Sequence, residues 1–122
     1  MLGAVANQGV RVQGPLVTLA AAGVANTGNL WQISAFAQQV GVKTAKIKRL
    51  KVVNYSGANT WLYIGTGTGG GFVQAMPRLR LMNGFNEDFE EGDLPDVEFS
   101  ANITCYVDNA TCEVQAELEE IG

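Results

Sequence analysis

Residues 97–119 alternate between apolar and polar side chains with a period of two, and this pattern limits the fold more than any other feature of the chain. The apolar positions are Val97, Phe99, Ala101, Ile103, Cys105 and Val107, followed by Cys112, Val114, Ala116 and Leu118. Such alternation is typical of strands that bury one face. We therefore predict two strands joined at "DNAT" in a long antiparallel hairpin, with Val107, and not Cys105, directly opposite Cys112.

Short β-rich segments recur roughly every ten residues upstream of this region. They are "AKIKRLKVVN", "WLYI", "GFVQAMP" and "RLRLM", and turns rich in Gly and Asn separate them. The alternation of the first segment slips between Ile47 and Leu50, which predicts a β-bulge. Fifteen glycines in a chain of 122 residues suit tight turns better than a helical bundle. We predict a single all-β domain, an antiparallel β-sandwich or a jelly-roll-like fold.

The N-terminal quarter of the chain and the segment after it are harder to assign. Residues 1–30 carry a single charge, on Arg11, and few large side chains. They are expected to be either first strands with a loose lead or a low-charge N-terminal arm that orders against a neighbouring subunit, while residues 31–122 form the β-sandwich domain. In "NLWQISAFAQQVG", a helix from an Asn29 N-cap to Gly41 competes with a strand, and the β-rich surroundings favour the strand.

Charge is divided along the chain. All eight basic residues precede Glu87, all twelve acidic residues lie from Glu87 to Glu120, and the net charge is −4. Basic and acidic strands could be neighbours in one sheet, opposite surfaces of subunits or partners could meet, or "KTAKIKRLK" could contact nucleic acid. The last is disfavoured because the net charge is negative and no aromatic residues interleave the lysines. The candidate interface residues are Val10, Arg11, Val12, Lys43, Lys46, Lys48, Arg49 and Lys51.

The stretch "IGTGTGGGF" has the G-x-G-x-x-G spacing of a dinucleotide-binding loop, through Gly65, Gly67 and Gly70. Such a loop needs a helix directly after it. Pro77 follows Gly71 by only six residues and prevents a helix of full length. We therefore predict a mobile hairpin tip and no cofactor. The chain also has no histidine, which removes Ser-His-Asp and Cys-His catalytic pairs, and we expect no enzymatic activity.

Three further clusters have both a structural and a functional interpretation. The acidic run "NEDFEEGDLPD" could hold calcium or a glycosidase carboxylate pair, but it does not fit the EF-hand template, and we expect a solvated loop without a metal. Cys105 and Cys112 are spaced unlike zinc or redox motifs, which predicts two buried thiols. Trp31, Trp61 and Tyr63 could form a sugar-stacking platform, although aromatic residues in short strands more often belong to the core.

The sequence indicates neither a membrane-spanning helix nor a signal peptide. The longest apolar run, Leu16 to Ala25, is about half the ~20 residues that a bilayer helix needs. The segment "MLGAVANQGVRVQG" lacks the charged leader and apolar block of a signal peptide. We expect a protein that is made in a cytoplasm and has no membrane contact.

The runs "IKRLKVVNYSGANTWLYIGTG" and "LPDVEFSANITCYV" and the acidic terminus "EVQAELEEIG" together resemble the small β-sandwich structural proteins of tailed-phage virions, such as head decoration or cement proteins. The resemblance implies a virion protein, made in the host cytoplasm, that clamps capsid subunits by buried area and an N-terminal arm, often as a trimer. The implied partners are the major capsid protein or another virion protein and further copies of the chain, without nucleic acid. The alternative is a carbohydrate-binding or adhesion module that uses the surface aromatic residues.

Overall fold

The computed structural model describes residues 10–21, 23–33, 44–55 and 57–121. The predictions made for residues 1–9 and for residues 34–43, which include Lys43, lie outside the described residues. The described part forms ten strands and short 3-10 turns and contains no α-helix. The strands are β1 Val10–Gln13, β2 Val17–Leu19, β3 Gly28–Trp31, β4 Thr44–Asn54, β5 Thr60–Thr66, β6 Val73–Gln74, β7 Leu79–Leu81, β8 Asn86–Phe89, β9 Ile103–Val107 and β10 Cys112–Ile121.

The strands form two antiparallel sheets. Sheet A has the order β1-β10-β4-β8, with β2 also paired to β10, and sheet B has the order β3-β9-β5-β6, with β7 also paired to β5. The late strands β9 and β10 are inserted between early ones, and the chain changes sheet at most of its connections. Two facing sheets with this interleaved order are the arrangement of a jelly roll. The predicted fold class is confirmed.

The inner faces of both sheets supply one hydrophobic core. Its fully buried members from the longer strands are Leu50, Val52, Val114 and Leu118 of sheet A and Leu62, Ile64, Ile103 and Val107 of sheet B. In β9 and β10 these are the positions that the alternating pattern marks as inward. The pleat of each strand therefore leaves the other half of its side chains on the two outer faces, where the candidate sites lie.

The predicted hairpin between the last two strands is wrong. β9 lies in sheet B between β3 and β5, whereas β10 lies in sheet A next to β4. Cys112 is consequently paired with Leu19 and Asn54, and not with Val107. The residues between the strands bond to β5 instead, because the N–H groups of residues 109 and 110 donate to Thr60 Oγ1 at 2.9 and 3.2 Å. These bonds hold the connection at the end of sheet B, from which the chain crosses to sheet A.

The predicted β-bulge in the basic strand is confirmed. Along β4, Arg49 pairs with Glu117 and Ile47 pairs with Leu118, so Lys48 is the extra residue. A bulge turns one additional side chain out of the regular alternation. Lys48 and Arg49 are neighbours in sequence, and both nevertheless reach carboxylates on the outer face of sheet A.

The glycine-rich stretch is the tip of a hairpin, as predicted. Gly65 pairs with Gln74 and Thr66 with Val73, which joins β5 to β6. Gly67 has a φ of 80°, a left-handed conformation that favours glycine. Residues 69–71 form one 3-10 turn and no longer helix follows, so the helix required for a dinucleotide site is absent from this described segment. The mobility of the tip stays a prediction.

The described part of the predicted N-terminal arm belongs to the sandwich. β1 and β2 both pair with β10, and β3 pairs with β9. Residues 29–31 of the ambiguous segment lie in β3, in agreement with the strand prediction. A truncation that tests an arm should therefore stop before Val10, because removing β1 would also uncover the edge of sheet A.

Candidate interaction surfaces

The outer face of sheet A carries a network of ion pairs centred on β10. The Arg11 guanidinium lies 3.0 Å from Glu117 Oε1 and 3.8 Å from Glu119 Oε2. On the other side of β10, Lys48 Nζ lies 3.9 Å from Glu119 Oε1 and 2.8 Å from Glu91 Oε1. The acidic strand β10 is thus flanked by the basic residues of β1 and β4, and it shares its carboxylates between them.

Two further pairs join β4 to the acidic segment. Arg49 binds Asp88 of β8 through two hydrogen bonds, Nε to Oδ1 at 2.9 Å and Nη2 to Oδ2 at 2.5 Å. Lys46 Nζ lies 3.0 Å from Asp96 Oδ1. Hydrogen bonds from the cations hold the pKa of Asp88 and of Asp96 below their usual range, and the bond to Asp96 raises the pKa of Lys46. Part of the predicted acidic loop is therefore strand β8, whose Asp88 pairs with Arg49 of β4.

The division of charge along the sequence thus corresponds to neighbouring strands of one sheet, the first of the three interpretations. The candidate interface residues that bind a carboxylate of the same chain are Arg11, Lys46, Lys48 and Arg49. Lys51 is exposed on the same strand. Val12 packs partly buried against the core, and the backbone of Val10 pairs with Glu120. The structure brings the charged candidates other than Lys43 together on one face, and a contact of that face with a partner stays a prediction.

The outer face of sheet B is aromatic. Tyr63 of β5 stacks on Tyr106 of β9, with ring centroids 4.5 Å apart and an interplanar angle of 5°. Phe72, at the foot of the glycine hairpin, meets Tyr106 edge-on at a centroid distance of 4.9 Å. Such ring pairs contribute about 0.5–1.5 kcal/mol beyond the area that they bury. The sequence did not indicate Tyr106 or Phe72, because only strand pairing and the folded hairpin bring them beside Tyr63.

The three residues suggested as a sugar platform do not share one surface. Trp31 is 2% exposed and belongs to the core, whereas Trp61 and Tyr63 are half-buried on the outer face of sheet B. The guanidinium carbons of Arg78 and Arg80 lie 4.0 and 4.8 Å from the centroid of the Trp61 ring. Any stacking ligand of sheet B would therefore meet a ring that two cations already contact.

Asp108 organises the end of this aromatic surface. Its Oδ1 accepts hydrogen bonds from Thr60 Oγ1 at 2.9 Å and from the N–H of Trp61 at 3.0 Å, and its Oδ2 accepts from the Tyr63 hydroxyl at 3.1 Å. Burial would raise the pKa of Asp108, but these hydrogen bonds outweigh it and lower the pKa. The Tyr63 hydroxyl also accepts a bond from Arg78 Nη1 at 3.3 Å. One carboxylate therefore fixes the start of β5 and the side chain of Tyr63.

Three large apolar side chains are exposed at one end of the sandwich, and we call them the end patch. They are Tyr55, Met82 and Phe85, which are 61%, 43% and 62% exposed. The buried Asn54 joins their backbones, because its N–H donates to the Phe85 carbonyl at 3.4 Å and its side-chain amide donates to the Met82 carbonyl at 3.2 Å. The sequence did not indicate this patch, since its members lie in separate connections between strands.

The buried polar groups are few. Cys105 and Cys112 are buried free thiols, as predicted, and burial raises their pKa to about 12 and about 11. Thiols held protonated in this way are poor nucleophiles. Glu120 is also fully buried; its Oε2 accepts a bond from Trp31 Nε1 at 2.9 Å, and its Oε1 has no hydrogen-bond partner among the described residues.

The described ranges contain no group of three or more His, Cys, Asp or Glu side chains that could hold a metal ion. Among the same residues, no helix has the length and hydrophobicity needed to cross a membrane.

No protein-family model and no curated protein sequence matches this chain. Among solved structures, the Tobacco streak virus coat protein dimer is 12% identical with a TM-score of 0.46, over 96% of this chain and 88% of that one. A subunit of the disulfide-linked pili of Bacillus endospore appendages is 10% identical with a TM-score of 0.46, over 93% and 89%. A Desmodium yellow mottle tymovirus chain is 12% identical with a TM-score of 0.35, over 95% and 89%. These values are too low to imply a shared function, and the strand order defines the fold.

Proposed function

We propose that this chain is a structural subunit that acts by packing against other proteins, copies of itself included, and that it has no catalytic activity. The end patch carries the proposal. Large apolar side chains that are exposed together mark protein contact sites, whereas scattered single ones do not. Phe85 and Met82 are held beside Tyr55 by hydrogen bonds from the backbone and the side chain of Asn54 to their carbonyl groups, so the patch is presented on an ordered support.

The finer proposal is that the assembly is a virion, in which the chain decorates or stabilises the capsid. The sequence resemblance to small virion proteins of tailed phages supports it. The jelly roll is compatible, because viral capsid proteins use this fold, but lectins and cupins use it as well. Fold alone does not decide function, so the test addresses packing first.

The test compares the mass of the wild-type protein with that of Phe85→Ser by light scattering after size exclusion, over a range of concentrations. We expect the wild type to be larger than a monomer and Phe85→Ser to dissociate at a concentration at which the wild type does not. The matched control is Val73→Ser, because Val73 is 63% exposed and lies away from the end patch. It pairs with Thr66 at the last residue of β5, whereas Leu81, next to Met82 of the end patch, pairs with Thr60 at the first. This variant should associate like the wild type.

Two results would contradict the proposal. One is a wild type that stays monomeric at every concentration, and the other is a Phe85→Ser variant that associates as strongly as the wild type. A near-ultraviolet circular dichroism spectrum checks that each variant keeps the packing of the aromatic side chains. If an assembly forms, binding to purified capsids then tests the finer proposal.

The alternative is a carbohydrate-binding module. Trp31 cannot contact a sugar in it because this residue is buried in the core, which leaves Trp61 and Tyr63 on the surface, with Tyr106 stacked on Tyr63. Stacking on a sugar needs an uncovered ring face, and the guanidinium groups already contact Trp61. A saturable change in tryptophan fluorescence with oligosaccharides that disappears in Trp61→Phe would favour this alternative.

A further inference from the structure

In the described part of the chain, some basic side chains have a carboxylate partner and others do not. Four of its basic side chains lie within 4.0 Å of a carboxylate, all on sheet A. Lys51 makes no such pair, but it faces Asp88 across β4 and β8, and its charge helps to lower the pKa of Asp88. Arg78 and Arg80, beside and within β7, have no carboxylate of the described residues within 4.0 Å. They are therefore the two cations that the described fold leaves uncompensated.

These two arginines are held in place by aromatic contacts. Both guanidinium groups contact the Trp61 ring, and Arg78 also donates to the Tyr63 hydroxyl. Arg80 pairs with Trp61 across β5 and β7, so the register of the sheet fixes this arrangement. The nearest acidic link is Asp108, which reaches Arg78 only through the Tyr63 hydroxyl. Two exposed guanidinium groups on a rigid support form a ready site for carboxylates, which they can bind in bidentate geometry.

The chain also has an acidic surface that its own cations neutralise only in part, because Glu90 interacts with Arg49 through charge without an ion pair within 4.0 Å. Glu87, Glu90 and Asp93 have no Lys or Arg nitrogen within 4.0 Å in the described part, although their neighbours Asp88 and Glu91 do. Glu90 and Asp93 are exposed and joined by a bond from the Glu90 N–H to Asp93 Oδ2 at 3.2 Å. They follow β8, an edge strand of sheet A, which presents a surface open to a neighbour.

We propose that Arg78 and Arg80 of one subunit bind Glu90 and Asp93 of a second copy of this chain. The inference rests on the proposed function, because it names one contact of the self-assembly. Charge complementarity favours a second copy as the partner, since each subunit has two uncompensated cations and a matching excess of carboxylates. Complementary charges of this kind fix the register of an interface and suppress wrong pairings. In this arrangement the end patch supplies buried apolar area, and the arginine site selects the orientation.

The test uses two charge-reversed variants of the full chain, each examined alone and then mixed in equal amounts. One carries Arg78→Glu and Arg80→Glu, and the other carries Glu90→Lys and Asp93→Lys. We expect each variant alone to associate at least tenfold more weakly than the wild type, because like charges meet. The mixture should recover an assembly, because each variant then meets its complement. Wild-type association should also weaken at high salt.

Controls separate the contact from loss of folding. Glu98→Lys reverses the charge at an exposed glutamate outside the arginine site, the acidic pair, the end patch and the candidate interface residues, and it should associate like the wild type. Because glutamate beside Trp61 could disturb β7, a second variant carries Arg78→Gln and Arg80→Gln, which removes the charge without reversing it and should associate more weakly than the wild type. Near-ultraviolet circular dichroism reports whether the aromatic side chains of sheet B keep their packing.

The outcomes separate this inference from the proposed function. If the reversed variants associate like the wild type, or the mixture recovers nothing, the contact is overturned; the proposed function survives if Phe85→Ser still dissociates the assembly. If the Arg78→Gln and Arg80→Gln variant keeps the wild-type mass but loses binding to a labelled single-stranded oligonucleotide, the arginine site recognises nucleic acid and the inference is overturned as well.

Discussion

The two outer faces of the sandwich are stabilised in different ways. On sheet A, Arg11, Lys48 and Arg49 meet carboxylates of neighbouring strands in several ion pairs on the outer face. On sheet B, aromatic rings pack on one another, and a single cluster around Asp108 and Thr60 holds the chain where it leaves β9. Stabilisation is therefore spread over many side chains on one face and concentrated in a few on the other.

The difference follows from solvent access. An exposed ion pair contributes about 0–1 kcal/mol, because water screens it and two flexible side chains must be ordered. A buried hydrogen-bonding group that loses its partner costs about 1–3 kcal/mol, since no water replaces the partner. Single substitutions should accordingly have small effects on the face of sheet A and large ones in the hydrogen-bonded cluster of sheet B.

The largest effect is expected for Thr60→Val. Thr60 is buried, its hydroxyl donates to Asp108, and it accepts the N–H groups of Asn109 and Ala110. Valine keeps the shape and removes all three bonds, so the free energy of unfolding should fall by about 3 kcal/mol. Urea denaturation measures the change.

Thr66→Val is the matched control for that substitution. It is the same replacement at the other end of β5, and a side chain without the Thr60 contacts should change the free energy of unfolding by less than about 0.5 kcal/mol. If the two variants lose equal free energy of unfolding, the hydrogen bonds of Thr60 contribute no more than the other contacts of β5. That result would contradict the proposed difference between the two faces.

A somewhat smaller loss is expected for Gly65→Ala. A Cβ at this position would lie 1.9 Å from the backbone carbonyl oxygen of Val73, so β5 and β6 would have to separate. We expect a loss of about 2 kcal/mol in the free energy of unfolding, together with a weaker near-ultraviolet signal as Phe72 moves away from Tyr106. Gly70→Ala is the control, because its added Cβ meets nothing within 4 Å and should be nearly neutral. If both variants behave alike, the hairpin does not support the aromatic surface.

The sequence predicted the features that depend on local periodicity. The alternation of β9 and β10 reports which side chains face inward, and the slip in β4 marks the bulge at Lys48. Periodicity carries no information on which sheet a strand joins, because both sheets bury one face in the same way. The hairpin prediction failed for that reason, since the bonds from residues 109 and 110 to Thr60 are made between distant segments.

The candidate surfaces were predictable to a smaller degree. The charge division allowed three interpretations, and the structure agrees with the one in which basic and acidic strands are neighbours, since the two signs lie on long contiguous segments that pair as β4 and β10. The aromatic surface was not predictable, since Trp31 and Trp61 both lie in short strands, yet one is buried and the other is half-exposed. The end patch joins Tyr55 to Phe85 across the fold through Asn54, and no spacing in the sequence encodes that contact.

Acid should reduce the stability that both faces contribute, whereas high salt should reduce mainly the contribution of the ion pairs on sheet A. The pKa values of Asp88, Glu91 and Asp96, which bind cations of sheet A, are lowered by hydrogen bonds from those cations, and that of Asp108 is lowered by neutral donors that outweigh its burial. A carboxylate with a lowered folded-state pKa contributes stability above its unfolded pKa and loses it as the pH falls through the folded value. The free energy of unfolding should therefore fall from about pH 5 towards pH 2.

High salt provides the comparison between the faces in the same experiment. Salt screens exposed ion pairs and leaves hydrogen bonds from neutral donors nearly unchanged. In concentrated sodium chloride the pH dependence should shrink, and the part that remains should be lost in Asp108→Asn. A pH dependence in Asp108→Asn that equals that of the wild type at high salt would exclude Asp108 as its source.

The smallest effect is expected for Arg11→Met, although Arg11 lies near three carboxylates. Its side chain is half-exposed, and methionine keeps the apolar stem that covers the edge of the sheet. Glu119 retains Lys48 as a partner, so no carboxylate is left buried without compensation. The free energy of unfolding should fall by less than about 1 kcal/mol and should not differ from the wild type at high salt. Arg78→Met is the comparison from sheet B: it removes one cation–π contact, worth about 0.5–1 kcal/mol, together with the hydrogen bond to the Tyr63 hydroxyl, and it keeps that cost at high salt because neither the indole ring nor the hydroxyl carries a net charge to screen. A larger loss for Arg11→Met than for Thr60→Val would mean that the network of sheet A, and not the cluster of sheet B, holds the two layers in register.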